Sequence, residues 1–151
     1  MISFDSNTSK KVIKLKQFIE IIKVKTKAFE ILNLSKKIDD LVKESNIVNG
    51  LLNLSVLHTS CSLMIQENAD STVLMDIKKF LDEIAPEKDY LHDTEGPDDM
   101  PAHLKTLLTQ TNLTISVKNK FVVLGGWQGI FLLEHRQNAK NREVFFHLMG
   151  E

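Results

Sequence analysis

GIFLLE at residues 129–134 and EVFFHLM at 143–149 are largely apolar runs, rich in the aromatic and β-branched side chains typical of strands. With LTISV at 113–117 and FVVL at 121–124, they make the last third of the chain β-rich. Antiparallel sheets usually leave one face to water, and their strands then alternate between apolar and polar residues. Strands that are apolar on both faces therefore predict sheets covered on both sides, by helices or by another subunit.

Earlier strands are predicted upstream. QFIEIIKVK at 17–25 is the first, and FEIL at 29–32 is expected to continue it in extended form. LLNLSVL at 51–57 is another strand with one wholly apolar face, and Asn49-Gly50 before it predicts a turn.

Two helices are predicted between these strands. Residues 36–45 show helical spacing of apolar side chains behind Ser35, a favourable N-cap, and residues 72–84 follow Asp70 or Ser71 as the cap. The second helix is expected to end before a proline and to bury one apolar face, made of Val73, Ile77, Phe80, Leu81 and Ile84.

A third helix is predicted to open at Pro101, since proline suits the first helical position, and to run to about Thr109. Its inward side chains are expected to be leucines, at positions 104, 107 and 108. Helices between early strands, followed by a β-rich end, predict an α+β fold.

Length and composition limit the class of protein. The 151 residues suit a single domain, predicted over 15–151 behind a partly disordered polar lead-in over 1–14. A net charge of −1 gives no support to a nucleic-acid partner, and no apolar run has the roughly 18 residues of a membrane span. A single cysteine, Cys61, fits a reducing compartment, so we expect a cytoplasmic protein.

The acidic segment, YLHDTEGPDDMPAH at residues 90–103, sets four carboxylates between His92 and His103. One interpretation is a solvated loop whose Asp98 and Asp99 favour the N-terminus of the next helix. The other is a divalent-metal or acid/base site, because imidazoles suit zinc while carboxylates suit magnesium. The residues alone leave both interpretations open.

Other candidate residues stand at the ends of predicted strands. His58 is a possible ligand or a structural histidine, and Cys61 is interpreted as a small buried hydrophobe rather than a nucleophile. Arg136 is either an anion clamp or half of a surface ion pair, whereas Arg142 is expected to be solvated. His147 is expected to be structural.

Five blocks of sequence resemble the YjbQ family in order and spacing. They are HTS at 58–60, ENAD at 67–70, YLHDTEGPDDMPAH at 90–103, WQGIFLLEHR at 127–136 and GE at 150–151. The resemblance implies an α+β domain, built as a β-sandwich with two to three helices. It also implies assembly as a homotrimer with sites near subunit boundaries.

The resemblance further implies an activity of the secondary thiamine-phosphate synthase type, joining a pyrimidine diphosphate to a thiazole phosphate. A divalent metal, zinc or magnesium, would be held by His58, His92 and His103, with Glu67 and Asp98 as catalytic carboxylates. The residues expected to bind a small phosphorylated or anionic metabolite are Asn68, Asp70, Gln128, Glu134 and Arg136. Positions 61 and 135 vary in the family, so neither Cys61 nor His135 is assigned a role.

Two alternatives to the synthase activity stay open. One is a metal-dependent hydrolase in which Glu67 or Asp98 is the base, which the number of histidines favours. The other is a non-catalytic trimer that binds a small anion.

Overall fold

Two antiparallel sheets form the framework of the structure, a computed structural model that describes residues 14–151. In chain order the elements are β1 (Lys16–Lys25), β2 (Ile31–Asn33), α1 (Ser35–Glu44), β3 (Gly50–Val56), β4 (Cys61–Glu67), α2 (Ser71–Ile84), α3 (Asp99–Leu108), β5 (Asn112–Lys118), β6 (Phe121–Val122), β7 (Gln128–Glu134) and β8 (Asn141–Gly150). The five-stranded sheet has the order β1-β8-β3-β5-β6, and the three-stranded sheet has the order β2-β7-β4. The predicted α+β class is confirmed. The predicted lead-in lies almost wholly outside the described residues.

The main hydrophobic core lies between the two sheets and is closed by α1. Side chains from the large sheet, the small sheet and the helix share one buried cluster, which includes Leu52, Phe146, Leu63, Leu132 and Ile38. The opposite face of β7 is buried as well, because Phe131 and Leu133 pack against Leu81 of α2. The doubly apolar run of β7 is therefore covered by a sheet on one side and by a helix on the other. No helix within residues 14–151 is both long and apolar enough to cross a bilayer.

The predicted strands are found with small shifts, and two features differ. FEIL forms a strand only from Ile31, because Phe29 has a positive φ of 49° that breaks the extended chain. FVVL pairs only over Phe121–Val122, after a hairpin turn in which Asn119 and Lys120 both have positive φ.

The start of α1 and the buried face of α2 differ from the prediction. Ser35 is the first residue of α1 rather than its cap, and its hydroxyl accepts a hydrogen bond from the Ile130 N–H. Asp70 caps α2 as predicted, by accepting from the Thr72 N–H. The apolar face predicted for α2 is only partly buried, however, because Phe80 and Ile84 are exposed.

The prediction for α3 was wrong in its start and in its inward face. The helix begins at Asp99, so Pro101 occupies its third position. Leu107 and Leu108 point to solvent, while Pro101, Ala102, Lys105 and Thr106 are buried.

Gly50 was predicted to lie in a turn, but it begins β3 and pairs with Gly150 of β8. A Cβ on Gly50 would lie 2.2 Å from the Met149 carbonyl oxygen, and one on Gly150 would lie 2.0 Å from the Asn49 carbonyl oxygen. Both obstacles are backbone atoms, which cannot rotate away. The two strands approach this closely only because both residues lack a side chain.

Gly150→Ala should therefore lower the free energy of unfolding by about 2–3 kcal/mol, since relief of the clash requires the paired strands to separate. The matched control is Gly126→Ala, where an added Cβ meets nothing within 4 Å. Urea unfolding of both variants checks this prediction. Equal stability of the two variants would contradict the close approach of β3 and β8.

Candidate functional site

The acidic segment is held against the end of β7 by one buried guanidinium. Arg136 donates from Nε to Asp98 Oδ2 over 2.9 Å, from Nη2 to the Glu95 carbonyl oxygen over 2.8 Å, and from Nη1 to Asp99 Oδ1. Arg136, Asp98 and Asp99 are all buried. The arginine predicted to clamp a substrate is thus engaged inside the protein.

Asp98 is similarly engaged through both carboxylate oxygens. Besides Arg136, it accepts from the Gln137 N–H over 2.9 Å and from Gln137 Nε2 over 3.0 Å. Burial acts to raise the pKa of Asp98, but these hydrogen bonds outweigh burial and hold the pKa below its usual value. The geometry gives Asp98 a positioning role in this chain, and its predicted catalytic role stays a prediction.

His92, Asp99 and His103 come together where α3 begins. Asp99 Oδ2 lies 2.8 Å from His92 Nε2 and 3.7 Å from His103 Nε2. One ligand atom from each residue lies within 4.8 Å of the other two. The Asp99 side chain is only 3% exposed, whereas His92 is 49% exposed and His103 31% exposed. The triad is therefore anchored from inside and accessible from solvent.

The orientation of His103 is fixed by a backbone contact. Its Nδ1 lies 2.9 Å from the Thr59 carbonyl oxygen, which accepts only, so Nδ1 carries the hydrogen. Nε2 then presents a lone pair towards the Asp99 carboxylate. Metal-ligating histidines commonly have this arrangement, in which the outer nitrogen donates to a carbonyl group.

The donor set fits a divalent cation. Two imidazoles and a carboxylate are ligands that zinc accepts, and bond lengths near 2.0–2.1 Å put tetrahedral ligand atoms about 3.3 Å apart. The separation of 3.7 Å between Asp99 and His103 is close to that value. At 2.8 Å, His92 Nε2 instead donates a hydrogen bond to Asp99, so coordination would require loss of that proton and a small outward movement.

Charge around the triad also favours a cation. The single positive charge of Arg136 faces the carboxylates of Glu95, Asp98 and Asp99, which leaves a surplus of two negative charges. Glu95 is 69% exposed and is screened by water, so the buried groups alone, Asp98 and Asp99 against Arg136, carry a surplus of one negative charge.

His58, the third predicted ligand, is not part of the triad. Its Nε2 accepts a hydrogen bond from the Glu143 N–H over 2.8 Å, and burial followed by the charge of Arg142 lowers its pKa. His58 and His103 line the same groove. A metal-binding role for His58 stays a prediction.

Glu134 forms a buried ion pair with Arg142. The prediction that Arg142 is solvated was therefore wrong. Arg142 donates to both carboxylate oxygens, over 2.7 and 2.6 Å, and Glu134 also accepts from the Thr26 hydroxyl and from the Arg136 N–H. Burial acts to raise the pKa of Glu134, but these hydrogen bonds bring it below its usual value. The contacts join β7 to β8, and substrate binding by Glu134 stays a prediction.

The remaining predicted residues lie at the other end of the small sheet. Glu67 pairs with Gln128, whereas Cys61, at the other end of β4, pairs with Glu134. Six residues of extended strand span about 20 Å. Asn68 and Asp70 follow Glu67, where Asn68 accepts from Asn33 and Asp70 caps α2. One protomer therefore divides the predicted site into two distant groups.

Asp99 was not predicted as a ligand. A spacing of four places Asp99 and His103 on one helix face, but only if the helix includes both residues. The helix was predicted to start at Pro101, so Asp99 fell outside it and the shared face was not recognised.

Cys61 is buried as predicted, and burial raises the pKa of its thiol to about 11.

Comparison with known proteins identifies the family of this chain. Residues 20–151 match the family described as UPF0047 protein YjbQ-like. The UPF0047 protein sll1880 of Synechocystis sp. is 45% identical over 138 residues, which cover 90% of this chain and 94% of the relative. The UPF0047 protein YjbQ of Escherichia coli O157:H7 is 43% identical over 103 residues, which cover 68% and 75% of the two chains.

The chain belongs to the YjbQ family. Among solved structures of similar proteins, the conserved hypothetical protein TT1486 of Thermus thermophilus is 34% identical, with a TM-score of 0.73 over 84% of this chain and 97% of that one. A YbjQ-like protein of Sulfolobus solfataricus has a TM-score of 0.85 over 91% and 100% of the two chains. At 23% identity, this second likeness shows the fold alone.

His135 gives the stability of this YjbQ-family protein a dependence on pH. Burial first, and then the charge of Lys105, lowers the pKa of His135 from 6.5 to about 4. As the pH falls from about 6.5 to about 4, the imidazole of His135 binds a proton in the unfolded chain but not in the folded chain. The free energy of unfolding should therefore drop by roughly 3 kcal/mol. His58, with a lowered pKa, contributes with the same sign.

His135→Gln should flatten this slope without abolishing it, and urea unfolding from pH 7 to pH 4 measures the effect. His147→Gln is the control, since that imidazole lies on the exposed face of β8 and bonds only Gln17 among residues 14–151. An unchanged slope in His135→Gln would contradict the assignment of the pH dependence to this imidazole.

Proposed function

We propose that this protein is a divalent-metal-dependent enzyme whose metal ligands are His92, Asp99 and His103, and that it hydrolyses a small phosphorylated or anionic metabolite. The observation that carries the proposal is the His103 imidazole, whose Nδ1–H is fixed on Thr59 so that its Nε2 lone pair faces a buried carboxylate. When bound, such a cation acts as a Lewis acid that polarises a phosphoryl or carbonyl oxygen and activates water.

The chain itself supplies orientation and charge. Arg136 binds one oxygen of Asp99 and leaves the other, Oδ2, facing the two histidines. His92 is half-exposed, so it has room to move away from Asp99 while His103 stays fixed. Because Arg136 is already engaged with Asp98 and Asp99, it would position the site rather than bind the substrate.

Two imidazoles in the ligand set favour zinc over magnesium, and zinc sites with an open position typically catalyse hydrolysis.

The second candidate is the thiamine-phosphate synthase type of reaction, which expels pyrophosphate. It is favoured by the exposed carboxylates of Asp93 and Glu95 next to the triad, since oxygen ligands suit the magnesium usual in diphosphate chemistry.

We also propose that a homotrimer completes the site. Two observations support this assembly. The group containing Glu67 and Gln128 lies about 20 Å along the small sheet from Glu134, at the strand end that Arg136 links to the triad, and a neighbouring subunit would bring the two groups together. The outer face of the large sheet exposes Ile19, Ile21 and Leu51, which assembly would cover.

For the metal site, we expect wild-type protein to bind one zinc ion per protomer, and Asp99→Asn and His103→Ala to weaken binding at least about 100-fold. Removal of an outer contact of a ligand already costs about 10- to 100-fold, and loss of a ligand costs more. Titration with zinc, read by calorimetry and metal analysis, measures this. Asp76→Asn, at an exposed position on α2, is the control. Equal affinity in all four proteins would refute the metal site.

For the reaction, zinc-loaded and magnesium-loaded protein would be assayed against phosphomonoesters and phosphodiesters, and separately with a pyrimidine diphosphate plus a thiazole phosphate. Hydrolysis with zinc that Asp99→Asn abolishes supports the first candidate. Thiamine phosphate formed with magnesium supports the second. Metal binding without turnover in either assay would contradict both and favour the non-catalytic anion-binding trimer.

For the assembly, Ile19→Asp should convert a trimer to monomers, because the substitution places a charge on the face that subunits would share. Light scattering after gel filtration measures the mass. Met75→Asp is the control, since Met75 is 68% exposed but lies on α2, which packs against the small sheet. Wild-type protein that runs as a monomer would refute the proposed trimer.

A further inference from the structure

A cleft of about 300 Å³ lies between α2 and α3, beside the end of β7. Its lining includes Lys78 and Asp82 from α2, Lys105 from α3, Phe29, and His135, the residue after β7. None of these residues belongs to the metal triad. The volume is at the lower end of the range for small-molecule sites.

Two ammonium groups converge on one carboxylate in this cleft. Lys105 Nζ lies 2.5 Å from Asp82 Oδ1, and Lys78 Nζ lies 2.6 Å from Asp82 Oδ2. Both also contact the ring of Phe29, at 5.7 and 5.0 Å from its centroid. Burial acts to raise the pKa of Asp82, but the two lysines outweigh it and lower the pKa, so the carboxylate stays charged.

The lysines have more donors than this carboxylate uses. An ammonium group has three N–H donors, and within residues 14–151 each of these two groups has one hydrogen-bonding partner. The Lys105 side chain is only 7% exposed and lines the cleft, so an acceptor reaches its remaining donors from the cleft. A ligand oxyanion in the cleft would accept charge-assisted hydrogen bonds from them.

His135 adds a further donor. Its Nε2 lies 2.8 Å from the Ser62 hydroxyl, which is fully buried and has no other side-chain partner in the described part of the chain. Since the hydroxyl hydrogen needs an acceptor, Ser62 donates to Nε2, and the ring hydrogen sits on Nδ1.

The Nδ1–H of His135 faces the cleft. The residue is only 4% exposed, and its single side-chain hydrogen bond among residues 14–151 is the one at Nε2. Across the same part of the chain, no fully buried side-chain nitrogen or oxygen lacks a partner, so Nδ1 must reach open space. The ring lines this cleft and an adjoining cavity of about 20 Å³, which shares Lys78, Asp82 and Lys105 with the cleft.

The carboxylates around the cleft offer too few free acceptor oxygens for these N–H donors. Both oxygens of Asp98 already accept from Arg136 and Gln137. Glu87 lies exposed at the mouth, where water screens its charge. The inner end of the cleft therefore has an excess of N–H donors.

We propose that this cleft is a second binding site, separate from the metal triad, for the oxyanion of a small organic molecule. Phosphate and carboxylate share the required chemistry, because each offers several acceptor oxygens and a negative charge to Lys105, Lys78 and His135. The site does not rest on the proposed metal chemistry.

Nuclear magnetic resonance of the His135 imidazole, in a titration of the full chain, tests the proposal. Inorganic phosphate is the probe in one arm and benzoate in the other. We expect a saturable shift of the His135 resonances in at least one arm, and the tighter probe identifies the oxyanion. If neither probe shifts them at saturating concentration, the proposal is overturned.

Variants separate this cleft from non-specific binding to lysines. Lys78→Met should weaken the tighter probe about tenfold, as expected for loss of one charge-assisted hydrogen bond. Lys79→Met is the matched control, because the neighbouring lysine on α2 does not line the cleft. Equal affinity in both variants would overturn the proposal.

Lys78 is half-exposed, so its replacement avoids the folding risk of the buried Lys105. His103→Ala should leave the affinity unchanged, which distinguishes this site from the triad.

Discussion

The guanidinium of Arg136 carries one positive charge into a buried space shared with the carboxylates of Asp98 and Asp99. It reaches both carboxylates and the Glu95 carbonyl group at once, which a lysine could not do with the same planar geometry. Removing one partner from such a buried pair typically costs about 3–5 kcal/mol, because the other charge is left uncompensated. The fold of the acidic segment, and with it the position of Asp99, depends on this contact.

Three consecutive residues at the end of β7 organise three different parts of the molecule. Glu134 joins Arg142 on β8, His135 joins Ser62 on β4 and faces the cleft beside α2, and Arg136 holds the acidic segment. Since each side chain is buried and engaged, the end of β7 acts as a rigid base. Rigid strand ends of this kind can hold a functional loop in place.

The sequence was sufficient for most of the strands, for the α+β class and for the Asp70 cap, because period-two apolar patterns and capping residues are local signals. It did not predict β4 as a strand. It failed where a partner lies far along the chain or where a boundary shifts. Arg142 looked solvated because its partner, Glu134, is on the neighbouring strand. Asp99 was missed as a ligand because α3 begins two residues earlier than its proline indicated. Leu107 and Leu108 of α3 face outward, while Lys105 lies on the buried face and pairs with Asp82. The resemblance to the YjbQ family predicted ten site residues. It could not show that, within one chain, these residues lie in two distant groups.

We propose that the Arg136 contact prepares His92, Asp99 and His103 for a divalent metal. Anomalous diffraction at the zinc edge, from crystals grown with zinc, tests it most directly. We predict a peak about 2.0–2.2 Å from His92 Nε2, Asp99 Oδ2 and His103 Nε2, with Arg136 still on Asp99. A zinc peak bound by other residues, or no peak at this triad in zinc-saturated crystals, would contradict it.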